Sequence, residues 1–369
     1  MRICYVASAR SYYHPKWFEY FVNHGHQVCL ISPDAPRATF PGVRIYCFPQ
    51  FKLKILRLAF TFLFGGIFIR RIIRKEKPDI LHAIELDEGF AAAASGFHPF
   101  VMTPNGSDLL VWAKKHLLVR IAARYVFSKA NAVVSDSELL KQTSLKLGAR
   151  TTGNEIIQWG VDLKQFHNRL DKRKIRNIIN LGNGPLLLST RALTGIYNID
   201  TIIRCLPEIL KQVPSARLIL VYGFNDNEMA MKKLAADLGV ADETIFVGAV
   251  NYEKMPDYFA AADVCLSVPS SDSSPRAVYE AMACKVPPVL SDLPWTKDFM
   301  VPEQNALLVP VRDHHALALA ILRLLSDEKL RERIIEANLK LVSEKLDYQK
   351  HMSRMESIYQ SLCRTSPRS

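Results

Sequence analysis

Residues 262 to 292 read ADVCLSVPSSDSSPRAVYEAMACKVPPVLSD. An apolar run of strand character ends in a Ser/Pro/Asp loop, an amphipathic segment follows, and VPPVLSD opens a second strand. The stretch is one strand-loop-helix-strand unit. Asp272 falls just past the carboxyl end of the first strand, and Glu280 lies in the first turns of a helix that begins near Pro275. Residues 273 to 277, which include Ser274, Pro275, Arg276 and Ala277, then form a helix N-terminus, where backbone N–H groups and the helix dipole favour an anion such as a diphosphate. The same residues also read as an ordinary helix start, with Asp and Ser as N-caps and Pro275 in the first turn.

The pattern repeats outward in both directions. RICYVAS, QVCLIS, DILHA, FVMT and NAVVSDS alternate with helical segments in the first half; PLLLSTR, ARLILVYG, TIFVG and DVCLSVPS restart the scheme in the second. Such alternation marks parallel strands joined by helices, and two βαβ domains in series are expected. Ligands of these sheets sit beyond the carboxyl ends of the strands. Between the halves, NRLDKRKIRNIINLGNGP has the polar, Gly-containing composition of a hinge.

With 369 residues and 49% hydrophobic content, the chain can bury the cores of two domains. Seven cysteines occur without a C-x-x-C pair, and Cys4, Cys29 and Cys265 sit in strand-like runs, so neither a disulfide framework nor a zinc site is expected. The ten histidines offer no H-E-x-x-H spacing. MRICYVASAR begins like a strand and not like a signal peptide, which points to the cytoplasm and makes the Asn105-Gly106-Ser107 glycosylation match idle.

The net charge of +12 is uneven: residues 1–168 hold 22 basic against 12 acidic side chains, and residues 169–369 hold 26 against 24. Much of the excess lies in KLKILRLAFTFLFGGIFIRRIIRKEK, residues 52 to 77, whose apolar middle of 12 residues is too short to span a bilayer. Two readings stand: a core helix with solvated ends, or an interfacial segment that adheres to anionic lipid through its basic rim. No nucleic-acid recognition module is visible, so nucleic acid is not an expected partner.

The segment from Asp272 to Ala283, two acidic residues separated by seven and followed by E-A-M-A, resembles the donor-site motif of the family 4 retaining glycosyltransferases. Further motifs in order extend the resemblance over nearly the whole chain: HGHQVCLIS, NGSDLL, WGVDLKQF, TRALTGIYNIDTII and TIFVGAV. It implies an α/β GT-B fold, with two facing Rossmann-like domains of parallel sheets and an interdomain cleft. The expected limits are an acceptor-binding domain at 1–168, a nucleotide-sugar domain at 169–345 and, at 346–369, a terminal helix that crosses back to the first domain. It also implies a UDP- or GDP-sugar donor as substrate, no cofactor and no metal, and a glycan or lipid-linked acceptor in surface polysaccharide or lipopolysaccharide synthesis. Localisation would be cytoplasmic, with peripheral contact to anionic membrane through residues 52–77.

Sugar transfer from a nucleotide diphosphate leaves negative charge on the departing phosphate, which a fixed cation stabilises. The resemblance gives that role to Arg191, placed after the strand PLLLST, and sets Asp272 against the donor sugar and Glu280 against the ribose. The family's lysine, six positions after the arginine, is Tyr197 here, and Arg276 is a replacement charge in the intervening loop. Gly223 and Gly248 read as close-approach positions near the nucleotide. On the acceptor side stand Tyr12, Tyr13 and His14, an aromatic set suited to stacking on a sugar or to packing a helix start, with Asn105 and Asp108. Many relatives carry histidine at the position of Asn105.

Two rivals remain at this level. A nicotinamide dehydrogenase should show G-x-G-x-x-G after a strand, and the one G-x-G, Gly182-Asn183-Gly184, precedes one. A non-catalytic nucleotide-sugar-binding protein on the same scaffold is consistent with the departures at Tyr197 and Asn105.

Overall fold

A computed structural model describes residues 1–11, 14–36, 40–167, 172–178, 182–223 and 227–365. The chain divides into two compact units, one formed by Met1–Gln158 with Lys350–Ser369 and the other by Trp159–Gln349.

In the first unit seven strands pair in parallel: β1 (Arg2–Val6), β2 (Gln27–Ser32), β3 (Val43–Cys47), β4 (Ile80–Ile84), β5 (Phe100–Thr103), β6 (Ala132–Ser135) and β7 (Asn154–Ile156). Their spatial order is β3-β2-β1-β4-β5-β6-β7. The central strands are buried along their whole length, as a parallel sheet covered on both faces requires, which is why they read as continuous apolar runs. Edge strand β3 is only half-buried. Helices α1 (His14–Asn23), α2 (Lys54–Leu63), α3 (Gly65–Glu76), α4 (Leu86–Ala94), α5 (Ala113–Lys115), α6 (Leu117–Lys129) and α7 (Glu138–Lys146) connect the strands.

The second unit repeats the plan with six parallel strands, β8 (Leu186–Ser189), β9 (Arg217–Val221), β10 (Thr244–Gly248), β11 (Val264–Ser267), β12 (Pro288–Ser291) and β13 (Leu307–Val309), in the order β10-β9-β8-β11-β12-β13. Its helices are α8 (Lys172–Ile178), α9 (Ile199–Gln212), α10 (Glu228–Asp237), α11 (Met255–Ala261), α12 (Arg276–Ala283), α13 (Thr296–Phe299), α14 (His314–Ser326) and α15 (Glu328–Lys345). Separate apolar clusters cover the two faces of this sheet. Each half is Rossmann-like: strand order reverses between β1 and β4 in one and between β8 and β11 in the other.

The stretch with hinge composition contains α8, whose Lys172 (2.5 Å) and Arg176 (2.5 Å) both pair with Asp263. Of the two, Arg176 is buried and Lys172 is partly exposed. Val161 and Phe166, from WGVDLKQF, are buried in the core of the second unit. The last helix, α16 (Tyr348–Thr365), begins at the end of the second unit, and from Lys350 onward it belongs to the first. There Met352, Met355 and Tyr359 are fully buried, and the Tyr359 hydroxyl meets Tyr5 (3.1 Å) and His82.

The basic segment is two helices and not one. The helix breaks at Phe64 (φ −122, ψ −12), and α3 then starts on the glycine pair. A Cβ on Gly65 would lie 2.8 Å from the Ala91 Cβ, and one on Gly66 would lie 2.8 Å from the Ala94 backbone. The glycines are there because α3 seats directly on α4.

Candidate active site

The reversal between β8 and β11 places two loops side by side at the carboxyl ends of these strands. Arg191 lies in the loop after β8 and Asp272 in the loop after β11, and they form an ion pair at 2.7 Å with both side chains largely buried. The Arg191 guanidinium also rests 4.2 Å from the centre of the Tyr197 ring. A carboxylate on one side and an aromatic face on the other hold the cation in place.

The loops themselves are stitched together. Ser270 N–H donates to the Ile196 carbonyl (2.8 Å), and buried Asn198, in the left-handed conformation at φ 50, donates to the Val268 carbonyl (2.8 Å) and the Ser270 hydroxyl (2.9 Å). Arg312 donates to the Asn198 carboxamide oxygen at 3.2 Å. Asparagine is one of the few residues besides glycine that adopts this backbone conformation readily. Sequence reasoning missed Asn198, whose signal was its place at the start of an apolar helical period.

Helix α12 begins at Arg276, with Pro275 at its N-cap, and every residue of it is buried. Glu280 stands on its second turn. Its carboxylate pairs with Arg276 (3.0 Å) and accepts a bond from the Tyr252 hydroxyl, while Arg276 donates to the same hydroxyl at 2.7 Å. Burial pushes the Glu280 carboxyl up, and Arg276 and Tyr252 oppose that rise. Arg276 is therefore not in the loop, as the sequence suggested, but is a buried helix residue joined to Glu280. Tyr252 lies 28 residues from Glu280 in sequence, so no local spacing could have pointed to it.

The other donor-side positions are spread around these. Ser274 is buried with its hydroxyl on Tyr279, and Ala277 is buried in the core. Gly248 ends β10 at φ +79, and a Cβ there would meet nothing within 4 Å. The positive φ by itself favours glycine there, and the position faces no protein atom. Gly223 follows the adjacent strand β9 and is exposed.

On the first unit, Ser8, Asp34, Glu85, Asn105 and Asp108 lie past the ends of β1, β2, β4 and β5. Ser8 donates to Asp34 (2.8 Å), which also pairs with Arg57. Asn105 donates to Glu85 at 3.3 Å. Asp108 accepts from the backbone N–H of Leu86 (3.1 Å) and of Asn105 (3.0 Å), tying two loops together, and burial raises its carboxyl well above the usual range. Buried Glu88 is raised as well, by burial first and then by Glu85. Neither Glu85 nor Glu88 stood out in the sequence, although the run ELDE at a strand end was the available sign. His14 is buried with its Nδ1 at 3.0 Å from the Ser8 carbonyl, and burial lowers it to about 4. It is a packing residue rather than an exposed stacking surface. Tyr12 and Tyr13 lie outside the described residues. Among the described residues no group of three His, Cys, Asp or Glu side chains is arranged to hold a metal ion.

Comparison with known proteins places this geometry in a family. Residues 171–341 match the family model described as glycosyl transferases group 1, and residues 2–137 match glycosyl transferase 4-like. Sucrose-phosphate synthase from Thermosynechococcus elongatus superposes with a TM-score of 0.87 at 19% identity, covering 99% of this chain and 100% of that one. Anabaena HepE, in a complex with UDP-glucose, does so at 0.83 and 17%, covering 98% and 100%. Two Rossmann-like halves with these neighbours define the GT-B glycosyltransferase fold. The chain belongs to the group 1 glycosyltransferases. A GDP-mannose-dependent alpha-(1-6)-phosphatidylinositol monomannoside mannosyltransferase of Mycolicibacterium smegmatis is 27% identical over 58% of this chain. The match spans 57% of that relative's length.

Proposed function

We propose that the chain is a retaining transferase that moves a sugar from a UDP- or GDP-sugar, bound by the second unit, to a glycan or lipid-linked acceptor bound by the first. The product would be a surface polysaccharide or glycolipid, made at the cytoplasmic face of the membrane with residues 52–77 against the lipid. The observation that carries this reading is Arg191, held between Asp272 and Tyr197 at the point where strand order reverses. In the reaction the bond from the anomeric carbon to the diphosphate oxygen breaks, and one to an acceptor hydroxyl forms. The hydroxyl proton passes to the departing phosphate. A cation fixed beforehand stabilises the charge that develops there without having to reorganise, which is the condition under which electrostatics accelerates a reaction. Asn105 cannot exchange a proton at neutral pH, which fits a path in which the phosphate is the base. The GDP-mannose and phosphatidylinositol glycolipid in the mycobacterial relative's name, and the UDP-glucose held by HepE, support a nucleotide-sugar donor and a lipid-linked acceptor.

Because Arg191 supplies the positive charge, turnover should survive EDTA. The test is a panel of UDP-, GDP- and ADP-sugars with lipid-linked acceptors, and the anomeric configuration of the product read by proton NMR. Retained configuration in the presence of EDTA is expected. An inverted product, or nucleotide binding with no cleavage of any donor, would overturn the reading.

A further inference from the structure

Large apolar side chains should be scarce on the surface, and here they are concentrated. Of 16 exposed among the described residues, 12 fall within residues 51–67 and 112–121. Along α2, α3 and their junction they include Ile55, Leu63, Phe64 and Ile67, the last 68% exposed; in the π-helical turn Asp108–Trp112 that leads into α5 and on α6 they are Trp112, Leu117, Leu118 and Ile121, with Leu118 80% exposed. The two strips are neighbours. Phe90 of α4 packs against Phe62 of α2 (ring centroids 4.8 Å) and against Tyr125 of α6 (5.3 Å), so α2 and α6 flank one central helix. Exposed apolar patches of this extent mark interaction surfaces.

Charge identifies the partner. Residues 51–75 contain 7 basic and no acidic side chains, and residues 109–135 contain 5 basic and none acidic. The unit that carries both strips has 25 basic against 12 acidic residues, while the other has 23 against 24. A second copy of the chain is a poor occupant, because a two-fold contact would set the same basic rim against itself. An anionic bilayer satisfies both properties at once: apolar side chains enter the acyl boundary while Lys and Arg meet the headgroups. No helix among the described residues is long and apolar enough to cross a membrane, so the contact is one of adhesion.

We infer that α2–α3 and α5–α6 form one face that binds anionic lipid, with Trp112, Leu117, Leu118 and Ile121 as a second anchor beyond residues 52–77. The inference rests on the proposal that residues 52–77 lie against a membrane and adds to it a separate element, absent from the basic stretch. Co-sedimentation with vesicles of 30% phosphatidylglycerol in phosphatidylcholine, against pure phosphatidylcholine, tests it. Two variants are compared with the wild type, W112S/L118S and I55S/I67S, all four positions being exposed and each variant first checked for an unchanged Tm. Wild type should bind the anionic vesicles and release them at high salt, and each variant should bind at least fivefold more weakly. Binding unchanged in W112S/L118S but lost in I55S/I67S would remove the second anchor and leave the first proposal standing. A wild type that ignores anionic vesicles would overturn both, and self-association through this face instead would assign it to a second copy. Equal binding to neutral vesicles would overturn the role given to charge.

Discussion

Tyr197 occupies the position where the resemblance expects a lysine, and its ring face supplies what a lysine could not, a surface on which the Arg191 guanidinium lies at 4.2 Å. Lysine there would place a like charge beside Arg191 and remove that surface. Tyr197→Lys should therefore lower kcat/KM, and the departure from the family pattern is a compensated one. Tyr197→Phe keeps the ring and should stay near wild type. Tyr197→Leu should lose about 1 to 2 kcal/mol of transition-state stabilisation, the scale of a partly desolvated cation–π contact. Kinetics with one identified donor decide it, and a Lys variant as active as wild type would refute the role of the ring. Glu280 makes a related case. The resemblance singled out Glu280 and set it against the ribose, but its bond to Arg276 was not legible, because the arginine read as a loop residue. Glu280→Gln leaves a buried guanidinium without its counter-charge and should cost about 3 kcal/mol of stability in addition to any loss of affinity. In the double variant Arg276→Met/Glu280→Gln, urea denaturation should show much of that stability restored. A single variant as stable as wild type would mean that the pair contributes nothing.

Among the elements, the central strands were visible because a parallel sheet buried on both faces leaves unbroken apolar runs. Edge strands β3, β7 and β13 were not, since half-exposed or three-residue strands carry no such run. Nor was the break at Phe64, because the glycines that follow it answer to α4, an element some twenty-five residues away. The docking of α16 on the first sheet leads to a pH prediction. His82, buried in the middle of β4, meets the Tyr359 hydroxyl through Nδ1 and Thr103 (2.8 Å) through Nε2, and burial lowers it to about 3. Its folded value lies below the unfolded 6.5, so the native state resists the proton. The stability it contributes is fully present above pH 6.5 and is lost as pH falls from there towards 3. His82→Gln keeps polar contacts but cannot charge. Between pH 6.5 and 4 its unfolding free energy should fall less steeply than that of wild type, by up to about 1.4 kcal/mol per pH unit. His14, also lowered by burial, and Glu88 and Asp108, both raised, remain in each protein, so the difference in slope isolates His82. Identical slopes would show that His82 is already charged in the native state.

For the whole molecule, the chain path matters as much as either sheet. The first unit is discontinuous, completed by residues that follow the entire second unit. That return was suggested by the terminal helix of the resembling family; its partners on the sheet had no sequence signal, since Tyr5 lies 354 residues from Tyr359. A chain ending at Gln349 loses the three buried side chains of Met352, Met355 and Tyr359, each worth about 1.5 to 3 kcal/mol. It also takes the Tyr359 hydroxyl away from a His82 ring nitrogen, at about 1 to 3 kcal/mol for the lost bond. The contact of the Glu356 carboxylate with the His26 ring (3.0 Å) goes too. Together these losses match the whole stability of an ordinary domain, about 5 to 15 kcal/mol. The second unit keeps both of its apolar clusters intact, and Tyr348 still donates to the Val161 carbonyl (3.1 Å) within it. The truncated chain should therefore lose hydrogen-exchange protection throughout residues 1–158 while residues 159–349 stay protected and UDP or GDP still raises their stability, since a ligand stabilises what it binds in the native state. Protection of β1 and β4 at wild-type levels after truncation would show that the terminal helix is an accessory to the first sheet rather than part of its core.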